Sequence, residues 1–153
     1  MSASHSASLD RDLVVTRLID APRPLVFKAW TNAEQVARWW GPKGYVTVDS
    51  DMDIRPGGAY RVVMRSPEGV DHRKRGIYRE IVEPERLIFT FAWEAADGTL
   101  GPELLIVVTF EDLGSRTRLT LRQGAFETVA MRDSHTLGWT SCLERFAEYM
   151  VTT

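Results

Sequence analysis

Apolar and polar residues alternate along much of the chain between residues 45 and 123. Tyr60, Val62 and Met64, for example, fall on one side of an extended segment, and the residues between them fall on the other. One buried and one solvated face is typical of an antiparallel sheet. Turn-forming segments such as Pro56-Gly57-Gly58 separate the alternating runs. Together they predict six strands, over residues 46–52, 59–66, 71–83, 86–93, 103–111 and 116–123.

Before and after this region, apolar residues recur at the three- and four-residue spacing of a helix. A first strand is predicted over residues 12–19, which are rich in β-branched side chains. Asp20 followed by Pro22 then marks a helix start, and Asn32 caps a second short helix over residues 33–40. A long helix over residues 128–150 carries an apolar stripe of Met131, His135, Trp139, Cys142, Leu143, Phe146 and Met150.

The predicted order is one strand, two short helices, six strands and one long helix, which is an α+β arrangement. A curved sheet, a covering helix and many large aromatic side chains predict a hollow or nearly hollow interior. Gly138, in the middle of the long helix, disfavours that helix by about 1 kcal/mol relative to alanine. Its presence predicts close packing against a neighbouring element.

Composition narrows the class of protein. A length of 153 residues, with 44% hydrophobic and 26% charged residues, is typical of one soluble globular domain. The net charge of -2 disfavours nucleic acid as a partner, and no apolar run approaches the roughly 20 residues needed to insert across a membrane. Residues 1–9 are expected to form a disordered tail without secretory features, ahead of a single domain over residues 10–153. The single Cys142 fits a reducing compartment, so a cytoplasmic protein is predicted.

Short segments spread over nearly the whole chain carry a family resemblance. They are Ala21-Pro22 with Val26-Phe27 and Trp30, Trp39-Trp40-Gly41-Pro42, Arg55-Pro56-Gly57-Gly58, Gly76-Ile77-Tyr78-Arg79-Glu80-Ile81, Pro84-Glu85-Arg86-Leu87, Thr117-Arg118-Leu119-Thr120-Leu121 and Gly138-Trp139. In these segments the chain resembles the START and Bet v 1-like (SRPBCC) superfamily, and within it the branch similar to the C-terminal domain of the heat-shock protein 90 ATPase activator. The resemblance implies a helix-grip fold: a curved seven-stranded antiparallel sheet wrapped around a long C-terminal helix, with a cavity between them. It also implies a homodimer and, as a candidate partner, a chaperone.

Large side chains on the predicted inner faces are the candidate ligand-binding residues. They are Trp39, Tyr60, Met64, Tyr78, Phe89, Phe91, Trp93, His135, Trp139, Cys142 and Phe146. Aromatic and aliphatic walls are the usual lining of a small-molecule pocket. The same side chains are also the usual content of a filled core, and Cys142 fits a small apolar filler better than a nucleophile.

Glu80 and His135 are the weaker candidates for catalysis. Glu80 shares an alternating face with Gly76 and Tyr78, and His135 lies on the stripe of the long helix. If both point inward, they would supply a carboxylate and an imidazole for acid–base chemistry. Otherwise each makes a structural hydrogen bond or lies in water at the cavity mouth. No metal and no cofactor are expected, because the sequence matches no ligand spacing or nucleotide-binding motif.

The run His72-Arg73-Lys74-Arg75, with arginines on other predicted strands, predicts a basic outer face of the sheet. Such a face either binds RNA or an acidic partner, or is solvated and partly ion-paired. The acidic net charge favours the second interpretation.

Three functions are compatible with these patterns. The favoured one is binding of one small apolar or aromatic molecule, without catalysis, in a cavity between the sheet and the C-terminal helix. The second is a cyclase, dehydratase or hydrolase that acts on a small aromatic substrate through His135 and Glu80. The third is a protein-interaction module related to chaperone activation.

Overall fold

The computed structural model describes residues 11–152, so the tail predicted over residues 1–9 lies outside the described residues. Seven strands and three helices follow one another in the predicted order. They are β1 (Leu13–Ile19), α1 (Arg23–Thr31), α2 (Ala33–Trp39), β2 (Val46–Met52), β3 (Ala59–Arg65), β4 (Asp71–Val82), β5 (Arg86–Glu94), β6 (Leu104–Asp112), β7 (Thr117–Gly124) and α3 (Val129–Thr152).

The seven strands form one antiparallel sheet in the order β1-β7-β6-β5-β4-β3-β2. From β2 to β7, strands that are consecutive in the chain pair with each other. The strand β1 pairs with the other edge of β7. One face of the sheet curves around α3 and carries the core. The predicted α+β helix-grip fold is confirmed.

Burial follows the predicted alternation. Along β7, for example, Leu119 and Leu121 are buried while Arg118 and Arg122 are exposed. The helix α3 turns its own apolar side chains, including Phe146, toward this inner face. The core therefore lies between the sheet and α3, with α1 and α2 closing one end.

The start of α1 differs from the prediction. Pro22, and not Asp20, occupies the N-cap position, where its carbonyl accepts a hydrogen bond from the Leu25 amide over 3.0 Å. Since proline has no side-chain acceptor, the first turn has no side-chain cap. The predicted cap of α2 is present, because Asn32 Oδ1 accepts from the Gln35 amide over 3.1 Å.

The strand β4 contains a bulge between Tyr78 and Glu80. Tyr78 lies opposite the buried Phe89, whereas Glu80 lies opposite Ile88, the residue directly before Phe89 on β5. One extra residue on β4 exchanges the two faces of the strand beyond that point. Ile81 consequently packs against the core, and Glu80 lies on the other face.

Candidate functional site

A cavity of about 330 Å³ lies between α3, the segment that follows α2, and the inner faces of β3, β4 and β5. Its lining residues range from the exposed Ser134 on α3 to the buried Lys74 on β4. Its walls consist of Trp40, Gly41, Pro42, Tyr45, Met64, His72, Lys74, Phe91, Trp93, Ser134, His135, Gly138, Trp139 and Cys142.

Two glycines shape this cavity. Gly41 has φ = +117°, a conformation that favours glycine, and it turns the chain directly after Trp40. At Gly138 an added Cβ would meet Pro42 Cγ at 4.0 Å, which is ordinary contact. Gly138 therefore borders open space, and the close packing predicted for it is wrong.

Aromatic rings form the apolar walls. The planes of Trp40 and Trp139 are inclined by 27°, with ring centroids 6.4 Å apart. Phe91 and Trp93 meet edge to face at 5.0 Å. Trp139 is fixed further by a 2.8 Å hydrogen bond from its Nε1 to Gln123 Oε1 in the core. These contacts keep the apolar surface of the cavity in place without a ligand.

Lys74 is the exceptional wall residue, because its side chain is only 2% exposed. Its Nζ lies 3.8 Å above the centroid of the Trp40 ring and 3.8 Å from Met64 Sδ. Burial lowers the pKa of the Lys74 ammonium from 10.5 to about 7. A lysine in such surroundings presents a partly neutral amine near physiological pH.

His135 lies across the cavity on α3. The Trp93 Nε1 donates to His135 Nε2 over 3.3 Å, which leaves the proton of the neutral ring on Nδ1. Burial lowers the pKa of His135 below its usual value. The imidazole is thus held neutral and oriented by Trp93.

Cys142 holds the loop after α2 against α3. Its Sγ accepts from the Gly41 amide over 3.4 Å and donates to the Trp39 carbonyl over 3.6 Å. Burial raises the pKa of the Cys142 thiol to about 11. The guanidinium of Arg145 contacts the Gly41 carbonyl nearby, over 3.4 Å. A thiol of this kind is a packing element and a poor nucleophile.

The structure divides the candidate ligand-binding residues into two groups. Those that line the cavity are Met64, Phe91, Trp93, His135, Trp139 and Cys142. Those that lie in the core, outside the cavity wall, are Trp39, Tyr60, Tyr78, Phe89 and Phe146. Two polar atoms of this second group have partners in the core, since Tyr60 Oη donates to the Thr90 carbonyl and Trp39 Nε1 to the Ala29 carbonyl.

Glu80 and His135 do not converge. Because of the bulge, Glu80 points to the outer face, where the Arg86 guanidinium donates to its carboxylate. Its side chain is 41% exposed and is no part of the cavity wall. The structure contradicts the predicted acid–base pair, because the alternation on which it depended is interrupted at Arg79.

The basic run on β4 is also divided between two faces. Arg75 faces outward and pairs with Glu94, whereas His72 and Lys74 line the cavity. Other outer arginines are ion-paired in the same way, as Arg65 is with Asp71. The predicted outer face is therefore partly ion-paired, and two of the four residues assigned to it were misplaced.

Sequence reasoning missed several wall residues, above all Trp40 and Lys74. A signal for Lys74 existed, because it alternates in step with Gly76 and Tyr78 on the inward face of β4. Trp40 follows the last residue of α2, where the helical period no longer applies and the chain turns toward the cavity. Across residues 11–152, no group of three or more histidine, cysteine or acidic side chains could hold a metal. In the same range no helix is long and apolar enough to cross a membrane.

Solved structures of bacterial proteins share this fold. A protein of Nitrosomonas europaea is 26% identical, with a TM-score of 0.78 over 94% of this chain and 96% of that one. The AHSA1 protein of Silicibacter pomeroyi is 26% identical, with a TM-score of 0.84 over 92% and 98% of the two chains. A protein of Chromobacterium violaceum is 25% identical, with a TM-score of 0.79 over 91% and 96%.

None of the curated proteins compared with the chain matches it. The family model described as "Activator of Hsp90 ATPase homolog 1-like protein" matches residues 20–151, which include every strand except β1 and the whole cavity wall. The predicted resemblance is confirmed, and the chain belongs to the activator of Hsp90 ATPase homolog 1-like family within the SRPBCC superfamily.

Proposed function

We propose that the protein binds one small apolar or aromatic molecule in the cavity between the sheet and α3. The observation that supports this proposal is an open space of about 330 Å³ with fixed aromatic walls. Its size and lining are typical of small-molecule sites. Burial of about 200 Å² of aromatic surface contributes roughly 5 kcal/mol at about 25 cal/mol per Å². This term alone corresponds to a Kd between about 0.1 and 1 mM, and ordering costs weaken the binding toward the millimolar range.

Binding is preferred to catalysis because the proposed acid–base pair is not formed. Glu80 is on the opposite face of the sheet from the cavity, and His135 is a neutral imidazole held by Trp93. The cyclase, dehydratase or hydrolase hypothesis therefore loses the pair of side chains on which it was based.

The test uses N-phenyl-1-naphthylamine, a neutral probe whose fluorescence rises in apolar surroundings. Gly138→Leu introduces an isobutyl group where the helix borders the cavity, without removing any wall side chain. Thr140→Leu adds an apolar side chain of the same size to an exposed position of the same helix. We expect saturable binding to the original protein and to Thr140→Leu, and binding at least about tenfold weaker to Gly138→Leu. Equal binding to both variants would place the probe elsewhere and reject the proposal.

A chaperone interaction and a homodimer stay predictions from the family resemblance. A pull-down with purified heat-shock protein 90 tests the first, and sedimentation velocity tests the second. A chaperone complex that persists in Gly138→Leu would favour an interaction surface separate from the cavity.

A further inference from the structure

The buried Lys74 ammonium has no acidic partner among residues 11–152. Among the described residues, its Nζ contacts an indole face and a thioether, at 3.8 Å each. No aspartate or glutamate is among the described residues that form the cavity wall. Buried charged groups are normally paired, because removing an ion from water without compensation is strongly unfavourable.

Acidic residues near this part of the sheet already have other partners. Asp71, at the start of β4, accepts from Arg65 over 2.7 Å. Glu94, at the end of β5, lies 3.7 Å from both Arg61 and Arg75. Neither carboxylate faces Lys74, which lies opposite Trp93 in the β4–β5 ladder.

The other polar side chains of the described cavity wall include no carboxylate. His72 lines the cavity from β4, Tyr45 from the segment before β2, and His135 and Cys142 from α3. Burial has the largest effect on the pKa of Lys74, while the nearby Cys142 acts to raise this pKa and Arg145 on α3 acts to lower it. The wall thus combines apolar rings with an unbalanced positive charge at its buried end.

We propose that the ligand of this cavity is an apolar or aromatic carboxylic acid, whose carboxylate pairs with Lys74 while its hydrocarbon part lies between Trp40, Trp139 and Phe91. The inference rests on the proposed function and specifies its ligand class. A carboxylate supplies the missing counter-charge through a charge-assisted hydrogen bond. The aromatic walls supply the apolar burial.

Proton uptake is the characteristic consequence. Burial lowers the pKa of Lys74 to about 7, so at pH 8 the empty cavity holds mostly the neutral amine. A bound carboxylate favours the ammonium and raises that pKa, so binding at pH 8 takes one proton from the buffer. The affinity for the acid accordingly falls as the pH rises from 7 to 9, while the affinity for a neutral analogue stays constant.

Calorimetry with 2-naphthoate and 2-naphthamide tests this proposal, since the two probes share the naphthyl group and differ in the head group, a carboxylate in one and a neutral amide in the other. We expect the acid to bind at least about tenfold more tightly than the amide at pH 7, and this ratio to fall to about one in Lys74→Met. Titrations at pH 8 in phosphate and in Tris, buffers of different ionisation enthalpy, measure the proton uptake. His72→Gln and His135→Gln each remove one imidazole of the wall that could take up the proton instead, and the uptake should persist in both.

Each outcome decides a separate point. Binding of the amide and of N-phenyl-1-naphthylamine without a preference for the acid overturns this inference and leaves the proposed function standing. Loss of proton uptake in His72→Gln instead of Lys74→Met also overturns it. If none of the probes binds, the proposed function itself fails. If Lys74→Met does not fold, uptake that persists in both His72→Gln and His135→Gln still assigns the proton to Lys74, whereas its loss in either variant overturns the inference.

Discussion

A single residue, Lys74, opposes folding and at the same time distinguishes this cavity from an ordinary apolar core. Its ammonium loses hydration, and in return it contacts Trp40 and Met64 and has no acidic partner among residues 11–152. Cation–π attraction to the indole recovers a part of that loss. The rest is a cost that the native protein carries at every pH at which the unfolded chain keeps this lysine charged.

Replacement of Lys74 by methionine should therefore stabilise the protein, and by an amount that depends on pH. The unfolded chain holds a proton at this lysine up to about pH 10.5, whereas the folded protein releases it near pH 7. Stability of the original protein consequently rises with pH between these values. We expect Lys74→Met to gain roughly 3–5 kcal/mol at pH 6 and progressively less toward pH 10. Urea denaturation across this range measures the difference in the free energy of unfolding between the two proteins. Because both proteins contain His135, its contribution to the pH dependence cancels in that difference. A difference that does not vary with pH would contradict the assignment.

A buried hydrogen bond between Trp139 and Gln123 is a second feature at the scale of single residues. The indole donates to Gln123 Oε1, while Gln123 Nε2 is buried without a hydrogen-bond partner among the described residues. Trp139→Phe should destabilise by about 1–3 kcal/mol beyond its loss of volume, since the amide then has no partner at either end. Adding Gln123→Met to this variant should recover most of that loss. Chemical denaturation of the four proteins in the cycle measures it, and additive effects would show that the hydrogen bond contributes little.

At the scale of elements, the middle of α3 has a glycine where it borders the cavity. Gly138 lies one residue before Trp139 on the cavity wall, where an added Cβ would be in ordinary contact with Pro42. A helix interior normally avoids glycine, because its flexible backbone loses more entropy on folding. The helix is therefore weakest at the point where it borders the cavity.

Gly138→Ala should stabilise the protein by about 1 kcal/mol, through the gain in helix propensity alone. The added methyl group would contact Pro42 Cγ at 4.0 Å without a clash. The contrasting variant is Gly76→Ala on β4, where a Cβ would lie 1.9 Å from the Thr90 carbonyl oxygen. We expect that variant to unfold or to lose several kcal/mol. Thermal denaturation followed by circular dichroism distinguishes the two, and a destabilised Gly138→Ala would contradict the open space next to α3.

The elements were predictable where a regular period holds and not where it is interrupted. Alternation along β3 assigned Tyr60, Val62 and Met64 to one face correctly, and all three are buried. On β4 the same rule gave the wrong face for Glu80, because a bulge has no distinct sequence signal at Arg79. For Lys74 the rule, applied strictly, would have placed it inward; the charge of the side chain suggested the opposite.

At the scale of the whole molecule, the fold was predictable because its pattern is distributed over nearly the whole chain. The cavity was less predictable, since it depends on which large side chains meet and which do not. The ring centroids of Phe146 and Trp39 lie 4.7 Å apart in the filled part of the interior, whereas the Trp139 ring lines the cavity. Both kinds of aromatic residue have the same hydrophobic signature. Only the three-dimensional arrangement separates core from wall.

This division of the interior leads to a last prediction, on global stability. A ligand that binds only the folded protein stabilises it by about 2.7 kcal/mol at a hundred times its Kd. For a domain of this size that amounts to a rise in Tm of about 5–10 °C. We expect 2-naphthoate to produce this rise at pH 7 in the original protein and in Thr140→Leu, and almost none in Gly138→Leu, whose cavity is filled. Differential scanning calorimetry over a concentration series gives the result. An equal rise in Gly138→Leu would mean that the acid binds to the exposed surface, and the link between cavity and stability would be lost.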